Sequence, residues 1–346
     1  MRPTNFLTAW GKILRGRIPL LSIEITRECP LSCPGCYAYG DSHLAGGAKL
    51  VDLTDSKGDE LVANILRLVD EHQPVQVSLV GGEPMMRHRE LARVLPVLSA
   101  RGIYTMIVTS AVIPIPPEWT RMPFVTIAVS VDGLAKDHDV RRKPATYERI
   151  LKNIKDCRIN VHWTVVNQHM EEPGYLEQYV SFWNNRPEVH KIWMSVYTPQ
   201  RGEVSPEILP PANRQSLAAQ IPPLAKEYPK LLVPDGMAKA FAAPPESPEE
   251  CIFSRMSANY TADFRTQVEP CVFGGDPDCS QCGCSMSAAL HWIGGAQVAG
   301  PLRVKHLVRG SMAVGALVSS WAPWQTGRTR WGKPAAPVRT DLVQIK

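Results

Sequence analysis

Leu21-Ser-Ile-Glu-Ile-Thr26 runs directly into Arg27-Glu-Cys29-Pro-Leu-Ser-Cys33-Pro-Gly35-Cys36-Tyr37, and the rest of the chain is read outward from this junction. An apolar run rich in β-branched residues is the pattern of a buried strand. The prolines and Gly35 disfavour a regular helix after it, so three thiols within eight residues fall on a loop at the strand's C-terminal end. Three thiolates at this spacing can wrap one metal site, and soft sulfur ligands select zinc or an iron–sulfur cluster. A zinc site is usually closed by a fourth protein ligand, whereas three cysteines alone leave one cluster iron open to an exogenous ligand. Spacing by itself keeps both readings.

Similar apolar runs recur along the chain. Strands are expected near Leu21 to Thr26, Val75 to Val80, Tyr104 to Thr109, Val125 to Val131, Asn160 to Val166 and Lys191 to Tyr197. Helices are expected at Thr54 to Glu71, Arg89 to Ala100, Thr146 to Cys157, Gly174 to Asn184 and Ala212 to Gln220, the last bracketed by Pro210-Pro211 and Pro222-Pro223. Strands alternating with helix-length segments mark parallel β/α units, so the fold class is α/β. Six such units make an open barrel, whose chemistry sits at the C-terminal ends of the strands.

Three motifs in order carry a resemblance to the radical S-adenosylmethionine (SAM) superfamily. The first is the CxxxCxxC of Cys29, Cys33 and Cys36. The second is Val75-Gln-Val-Ser-Leu-Val-Gly81-Gly82-Glu83-Pro84, a strand ending in that family's GGEP motif. The third is Val125-Thr-Ile-Ala-Val-Ser130-Val-Asp132-Gly133 leading into His138-Asp139-Val-Arg-Arg142, similar to the SxDG…HDxxR stretch of the branch that carries extra clusters. The resemblance covers about Ile18 to Arg201 and implies a partial (β/α)6 TIM-type barrel. It implies that Cys29, Cys33 and Cys36 are catalytic thiolates holding a [4Fe–4S] cluster, whose fourth iron is chelated by the amino and carboxylate groups of SAM. An electron from the cluster then cleaves the sulfonium, giving methionine and a 5′-deoxyadenosyl radical that abstracts hydrogen from the substrate. A reductant such as flavodoxin or ferredoxin is implied as partner.

The same resemblance implies that Gly82 and Glu83, flanked by Gly81 and Pro84, meet the SAM amino group. Ser130 matches a SAM-contacting polar residue on the fourth strand, and Arg142 pairs the SAM carboxylate, which a guanidinium grips bidentately. Thr109-Ser110 stands where many relatives carry Thr-Asn. The family's aromatic residue before the third cysteine is here Gly35, so packing beside the adenine passes to Tyr37 or Tyr39.

Nine cysteines with no secretion-like segment argue for a reducing, cytoplasmic compartment, where clustered thiols are more often metal ligands than disulfides. Cys157 stands alone and reads as a small core hydrophobe. Cys251, Cys271, Cys279, Cys282 and Cys284 form a second group, with Asn259 to Cys271 reading as a short hairpin that leads into it. This region resembles a shortened SPASM or twitch extension, the module that holds auxiliary [4Fe–4S] clusters in many radical SAM maturases. Five cysteines are too few for its two-cluster version. One auxiliary cluster is expected on Cys271, Cys279 and Cys282 with Cys251 or Cys284 as fourth ligand, Gly283 relieving the turn, and structural zinc is the alternative.

The expected organisation is an amphipathic helix in residues 1–17, a core barrel in 18–230, a Cys-rich extension in 231–300 and a basic, Trp-containing segment in 301–346. Net charge is +5, yet residues 301–346 hold eight Lys/Arg (Arg303, Lys305, Arg309, Arg328, Arg330, Lys333, Arg339, Lys346) against Asp341 alone. The remainder gives no electrostatic reason to bind nucleic acid. Phe6, Leu7, Trp10, Ile13 and Leu14 recur at helical spacing, and together with the basic end and its Trp321, Trp324 and Trp331 they leave a membrane surface open as a partner of the termini. The charge-free run Ser285 to Leu302 is interrupted by His291, Gln297, Pro301 and three glycines, which argues against a membrane span.

Composition, 44% hydrophobic and 21% charged, excludes a mainly disordered or collagen-like chain. No P-loop, Ser/His/Asp set or hydrolytic carboxylate pair is evident. The barrel mouth should be lined by Glu24, Thr109, Trp163, Ser195, Tyr197 and the loop Thr198 to Glu203, with Arg201 the best candidate for a substrate anion. The function expected is radical oxidation or maturation of a peptide or small molecule. The alternatives are radical carbon–carbon bond formation or methyl transfer on a lipid, and a non-catalytic iron–sulfur or zinc-binding protein.

Overall fold

Every run expected to be a strand is one, because each sets apolar, largely β-branched residues at the alternate positions that face the helices. The computed structural model describes residues 3–34, 36, 44, 52–144 and 146–321. Gly35, Tyr37, Tyr39 and, in the basic segment, Trp324, Arg328, Arg330, Trp331, Lys333, Arg339, Asp341 and Lys346 lie outside the described residues. Helix α1 (Pro3–Leu14) precedes β1 (Leu20–Glu24), α2 (Gly58–His72), β2 (Gln76–Val80), α3 (His88–Ala100), β3 (Tyr104–Thr109) and β4 (Val125–Ser130). Then come α4 (Ala135–Arg141), α5 (Tyr147–Asn153), β5 (Ile159–Val165), α6 (Gln168–Glu171), α7 (Tyr175–Asn184) and β6 (Val189–Val196). The later elements are α8 (Pro211–Glu227), α9 (Asp235–Ala242), α10 (Ile252–Met256), β7 (Ser257–Tyr260), α11 (Ser285–Gly295), the hairpin β8 (Gln297–Ala299) and β9 (Leu302–Arg303), and α12 (Val304–Trp321).

The main sheet runs β6-β5-β4-β3-β2-β1-β7, every pair parallel. Side chains alternate across it with period two. Leu21, Ile23, Val77, Leu79, Ile127, Val129 and Val161 are buried in the core under the helices. Residues of the other parity, among them Ser22, Glu24, Ser78, Ser130 and His162, line the opposite, concave face, with Ser22 opposite Ser78 and Ser130 opposite His162 in the ladders. That face is polar, which suits a site and not a packed core. Helix α2 shows how the outer layer is held: Leu61, Ile65, Leu68 and Val69 recur at helical spacing and are buried, each contributing ~1.5–3 kcal/mol relative to exposure.

One expectation is corrected and another gains a partner. Helix α8 does not stop before Pro222-Pro223 but continues to Glu227. Two lost backbone donors are offset by tertiary packing, since Arg214, Leu217 and Ile221 hold its inner face in the body. The short hairpin expected from Asn259 is present, Tyr260 bridging Gln267 antiparallel with the Thr261 N–H donating to the Thr266 carbonyl and the Val268 N–H to the Asn259 carbonyl (both 2.9 Å), and its first arm, Ser257 to Tyr260, also pairs with Leu20 to Ile23 as a seventh parallel strand. Helix α1 packs on α12 through Ile13, Val308 and Met312. Cys157 is buried, as expected of a core residue, and its thiol points at the Ile115 carbonyl. Among the described residues no helix is long and apolar enough to cross a membrane.

Candidate active site

Cys29, Cys33 and Cys36 are half-buried in the loop that leaves β1. Burial pushes the Cys29 thiol up to about 11, and Glu83 and the other two thiols lie near enough to push the same way. Burial also raises Cys33, against the opposing charge of Arg142. The loop is anchored just upstream by a network that the sequence did not disclose. Buried Arg87 donates through Nη1 to Glu28 Oε2 (3.0 Å) and through Nη2 to Asp55 Oδ2 (2.9 Å). Thr26 Oγ1 donates to the same Asp55 oxygen (2.9 Å), and Lys57 Nζ donates to Glu28 Oε1 (2.6 Å).

The glycine turn after β2 is stitched to this loop. The Gly82 N–H donates to the Thr26 carbonyl and the Glu83 N–H to the Glu28 carbonyl, both at 2.8 Å. Gly81 has φ +131°, and a Cβ there would lie 2.4 Å from the Thr26 oxygen, so only glycine fits. The buried Glu83 carboxylate accepts from the Met85 N–H (3.0 Å), Thr109 Oγ1 (2.6 Å), the Ser110 N–H (2.8 Å) and Ser110 Oγ. Its side chain therefore binds the ends of β2 and β3 together, with Thr109 acting through it, and Pro84 opens the 3₁₀ turn that carries Arg87.

Beyond β4, the wholly buried Asp132 accepts from Arg141 Nη1 (2.6 Å), Arg142 Nε (2.8 Å) and the Thr164 N–H (3.1 Å). Burial alone would raise its carboxyl, but Arg142 and Arg141 outweigh that and hold it well below the usual carboxylate range. His138 Nδ1 accepts the Asp132 N–H (3.2 Å), so the ring carries its proton on Nε2, facing Thr146 Oγ1 at 3.0 Å. Burial lowers this histidine to about 4 and keeps it neutral. Asp139 accepts the Thr146 and Tyr147 N–H groups, both at 2.8 Å. The His138-Asp139…Arg142 stretch is thus a buried scaffold that aims Arg142 toward Cys33, and Ser130 sits buried at the end of β4 beside it in sequence.

The concave face adds a residue that sequence reading missed. His162 Nε2, from the middle of β5, lies 2.8 Å from Ser195 Oγ near the end of β6. Strand parity could have found it, since it also removes Trp163 from the mouth: that ring faces the helices and stacks on Tyr179 with centroids 3.9 Å apart. Arg201 is not a free anion binder either. Its N–H donates to the Asp276 carbonyl (2.7 Å) and its Nε lies 3.3 Å from Asp276 Oδ2, which latches the β6 loop to the second cysteine region. Tyr197 Oη donates to Glu203 Oε1 (2.6 Å).

All five C-terminal cysteines line one small pocket that is partly open to solvent. Burial pushes Cys271 up to about 12 and Cys279 up to about 11. Cys251 Sγ lies 3.2 Å from Ser287 Oγ. The loop bearing Cys282 and Cys284 docks on the end of β6, the Val196 N–H donating to the Gly283 carbonyl (2.9 Å) and the Gly283 N–H to Thr198 Oγ1 (2.8 Å). A Cβ on Gly283 would lie 2.0 Å from the Val196 oxygen, so this glycine answers a close approach and not the turn itself. Buried Arg214 donates to the carbonyls of Phe241 (3.0 Å), Cys282 (3.3 Å), Tyr197 (3.2 Å) and Gln281, tying α8 and β6 to the cysteine loop.

Residues 23–170, which run from the end of β1 through β5 and include the first cysteine loop and both later motifs, match the Radical SAM superfamily. Over 101 residues the chain is 36% identical to the PqqA peptide cyclase of Bradyrhizobium diazoefficiens, a match covering 28% of this chain and 23% of the cyclase. In structure it resembles Streptococcus suis SuiB bound to the precursor peptide SuiA, with a TM-score of 0.55 at 16% identity over 78% of this chain and 64% of SuiB. It also resembles native anSMEcpe with bound AdoMet, with a TM-score of 0.51 at 12% identity over 89% of this chain and 98% of that one. The chain spans less than a quarter of the cyclase and under two thirds of SuiB.

Proposed function

We propose that the chain, whose residues 23–170 match the Radical SAM superfamily, is a radical SAM enzyme in which Cys29, Cys33 and Cys36 hold the [4Fe–4S] cluster and the radical made there acts on a peptide. The observation that carries this is the stitching of the three-thiol loop to the Gly81-Gly82-Glu83 turn, with Glu83 beside Cys29 and Arg142 beside Cys33. The donor set is all thiol, which fits an iron–sulfur cluster. When bound, the cluster and SAM supply the one-electron cleavage that yields a hydrogen-abstracting 5′-deoxyadenosyl radical.

The chain's own residues position and shield. Glu83, holding Thr109 and Ser110, fixes the turn that the SAM amino group meets. Arg142 spends Nε on Asp132 and keeps its terminal nitrogens for the SAM carboxylate, and Ser130 offers a hydroxyl from the same strand end. His162 and Ser195 stand across the concave face, where substrate enters. The peptide reading is supported by SuiB, solved with its precursor peptide, and by a cyclase named for its peptide.

The five thiols of Cys251, Cys271, Cys279, Cys282 and Cys284 along one pocket support one auxiliary [4Fe–4S] cluster, an all-sulfur donor set with one thiol to spare, and structural zinc is the alternative that metal analysis separates from it. On this reading residues 18–230 are the core and 231–300 the auxiliary extension, which also lends strand β7 to the core sheet, with flavodoxin or ferredoxin as electron donor. Anaerobic reconstitution, iron and sulfide assay, then dithionite and SAM test the whole. About eight irons per chain and 5′-deoxyadenosine are expected, Cys33→Ala abolishing the nucleoside and Cys271→Ala leaving about four irons. Turnover retained in Cys33→Ala overturns the catalytic site, and zinc in place of iron overturns the auxiliary cluster.

A further inference from the structure

Two arginines share one carboxylate oxygen beyond the end of β4. Asp132 Oδ2 accepts from Arg141 Nη1 at 2.6 Å and from Arg142 Nε at 2.8 Å, while Oδ1 accepts the Thr164 N–H. One negative charge between two positive ones invites competition, because either guanidinium gains by turning a second N–H onto the carboxylate and crowding the other off. Glu207 prevents this for Arg141. Its Oε1 and Oε2 accept from Arg141 Nε and Nη2, both at 2.9 Å, so one whole edge of that guanidinium is occupied and only Nη1 is turned to Asp132. Two arginines then face two carboxylates. The side chains of Arg141, Glu207 and Arg142 are 16%, 20% and 21% exposed and that of Asp132 is wholly buried, so water and salt screen these charges weakly.

Glu207 comes from the segment between β6 and α8, and that segment is fixed at both ends. Near its start Gln200 bridges Pro277 antiparallel, and the Asp278 N–H donates to the Pro199 carbonyl (2.9 Å). Glu203 folds it back, accepting from Tyr197 Oη (2.6 Å) and from the Gln200 N–H (2.9 Å). Further on, the Glu207 N–H donates to Ser205 Oγ (3.2 Å), the Glu207 carbonyl accepts the Asn167 N–H (3.1 Å), and Leu209 is wholly buried. Arg141 also lies over the Tyr197 ring, 5.8 Å from its centroid. A carboxylate anchored in this way imposes a position on its partner and does not follow it.

We propose that Glu207 is a positioning residue for SAM: by holding Arg141 it leaves Asp132 to fix Arg142, whose terminal nitrogens then meet the SAM carboxylate. The inference rests on the reading that Arg142 grips that carboxylate. Glu207 acts only through other side chains. When it is removed, Arg141 turns a second N–H onto Asp132, Arg142 loses its Nε anchor, and its guanidinium leaves the direction it takes beside Cys33.

The test is anaerobic calorimetric titration of SAM into the reconstituted full chain, with no reductant, so that SAM stays whole and affinity is read apart from turnover. Glu207→Gln keeps the size of the side chain and removes its charge, and should weaken binding by about tenfold at unchanged iron content. Adding Arg141→Met to it should restore binding to within about threefold of the parent chain, since Arg142 then has Asp132 to itself. Arg141→Met alone should likewise bind within about threefold of the parent. A residue that merely held the loop would not be rescued by deleting its partner. Unchanged binding in Glu207→Gln overturns the proposal, and so does a double variant that binds no better than the single one. Arg142→Met tests the premise separately. If that variant binds SAM as tightly as the parent, the reading of Arg142 fails and the proposal with it; a loss there with none in Glu207→Gln removes the link alone.

Discussion

His138 and Asp132 lie against each other and are perturbed for different reasons, one by burial and one by two arginines. His169, whose ring stacks on Tyr175, is likewise lowered by burial to about 4. In the unfolded chain these histidines take up protons near 6.5, but in the folded one only near 4. Their contribution is therefore complete above pH 6.5 and is lost as pH falls toward 4, with a slope of ~1.4 kcal/mol per pH unit for each. Asp132 does not confuse this window, because a carboxyl held low gives up its contribution only below its unfolded value near 4. His138→Asn keeps an acceptor for the Asp132 N–H and should flatten the slope by about one proton's share. Urea unfolding at a series of pH values measures it, and an unchanged slope would remove His138 from the account.

Among the elements, the cysteine loop on β6 is held most closely. Gly283→Ala sets a methyl group against the Val196 carbonyl and should push that loop outward, at a cost of ~1–3 kcal/mol. Iron should fall from about eight to about four per chain while 5′-deoxyadenosine still forms; full iron content would show that the loop accommodates the methyl. The barrel strands were legible because the positions facing the helices recur every second residue and are apolar and largely β-branched, and the first three thiols because their spacing is local. Strand β7 was not, since Ser-Ala-Asn-Tyr has little preference of its own and becomes a strand only beside the open edge of β1. Helix α8 was cut short on a local proline rule that Leu217 and Ile221 override through packing. Arg214 left no trace in the sequence, because its acceptors come from Tyr197, Phe241, Gln281 and Cys282, which only the folded chain assembles.

In the molecule as a whole, the cavity cysteines come from three separated stretches, and their loop is tied to β6 and α8. A metal there joins segments that the main core holds only at their margins, so binding adds to folding stability. Anaerobic chelation should lower the melting temperature by several degrees and raise amide exchange in residues 251–295, leaving β2 to β5 protected. Uniform loss of protection would mean that the barrel itself depends on iron. The pairing of β1 with β7 carries another consequence. More than two hundred residues separate these neighbours, so at ~5–20 residues per second roughly 10 to 50 s of translation pass before the second strand exists. For that interval the ribosome-bound chain presents the bare flank of β1 beside its first three thiols, and a second nascent chain on the same messenger has time to pair with it.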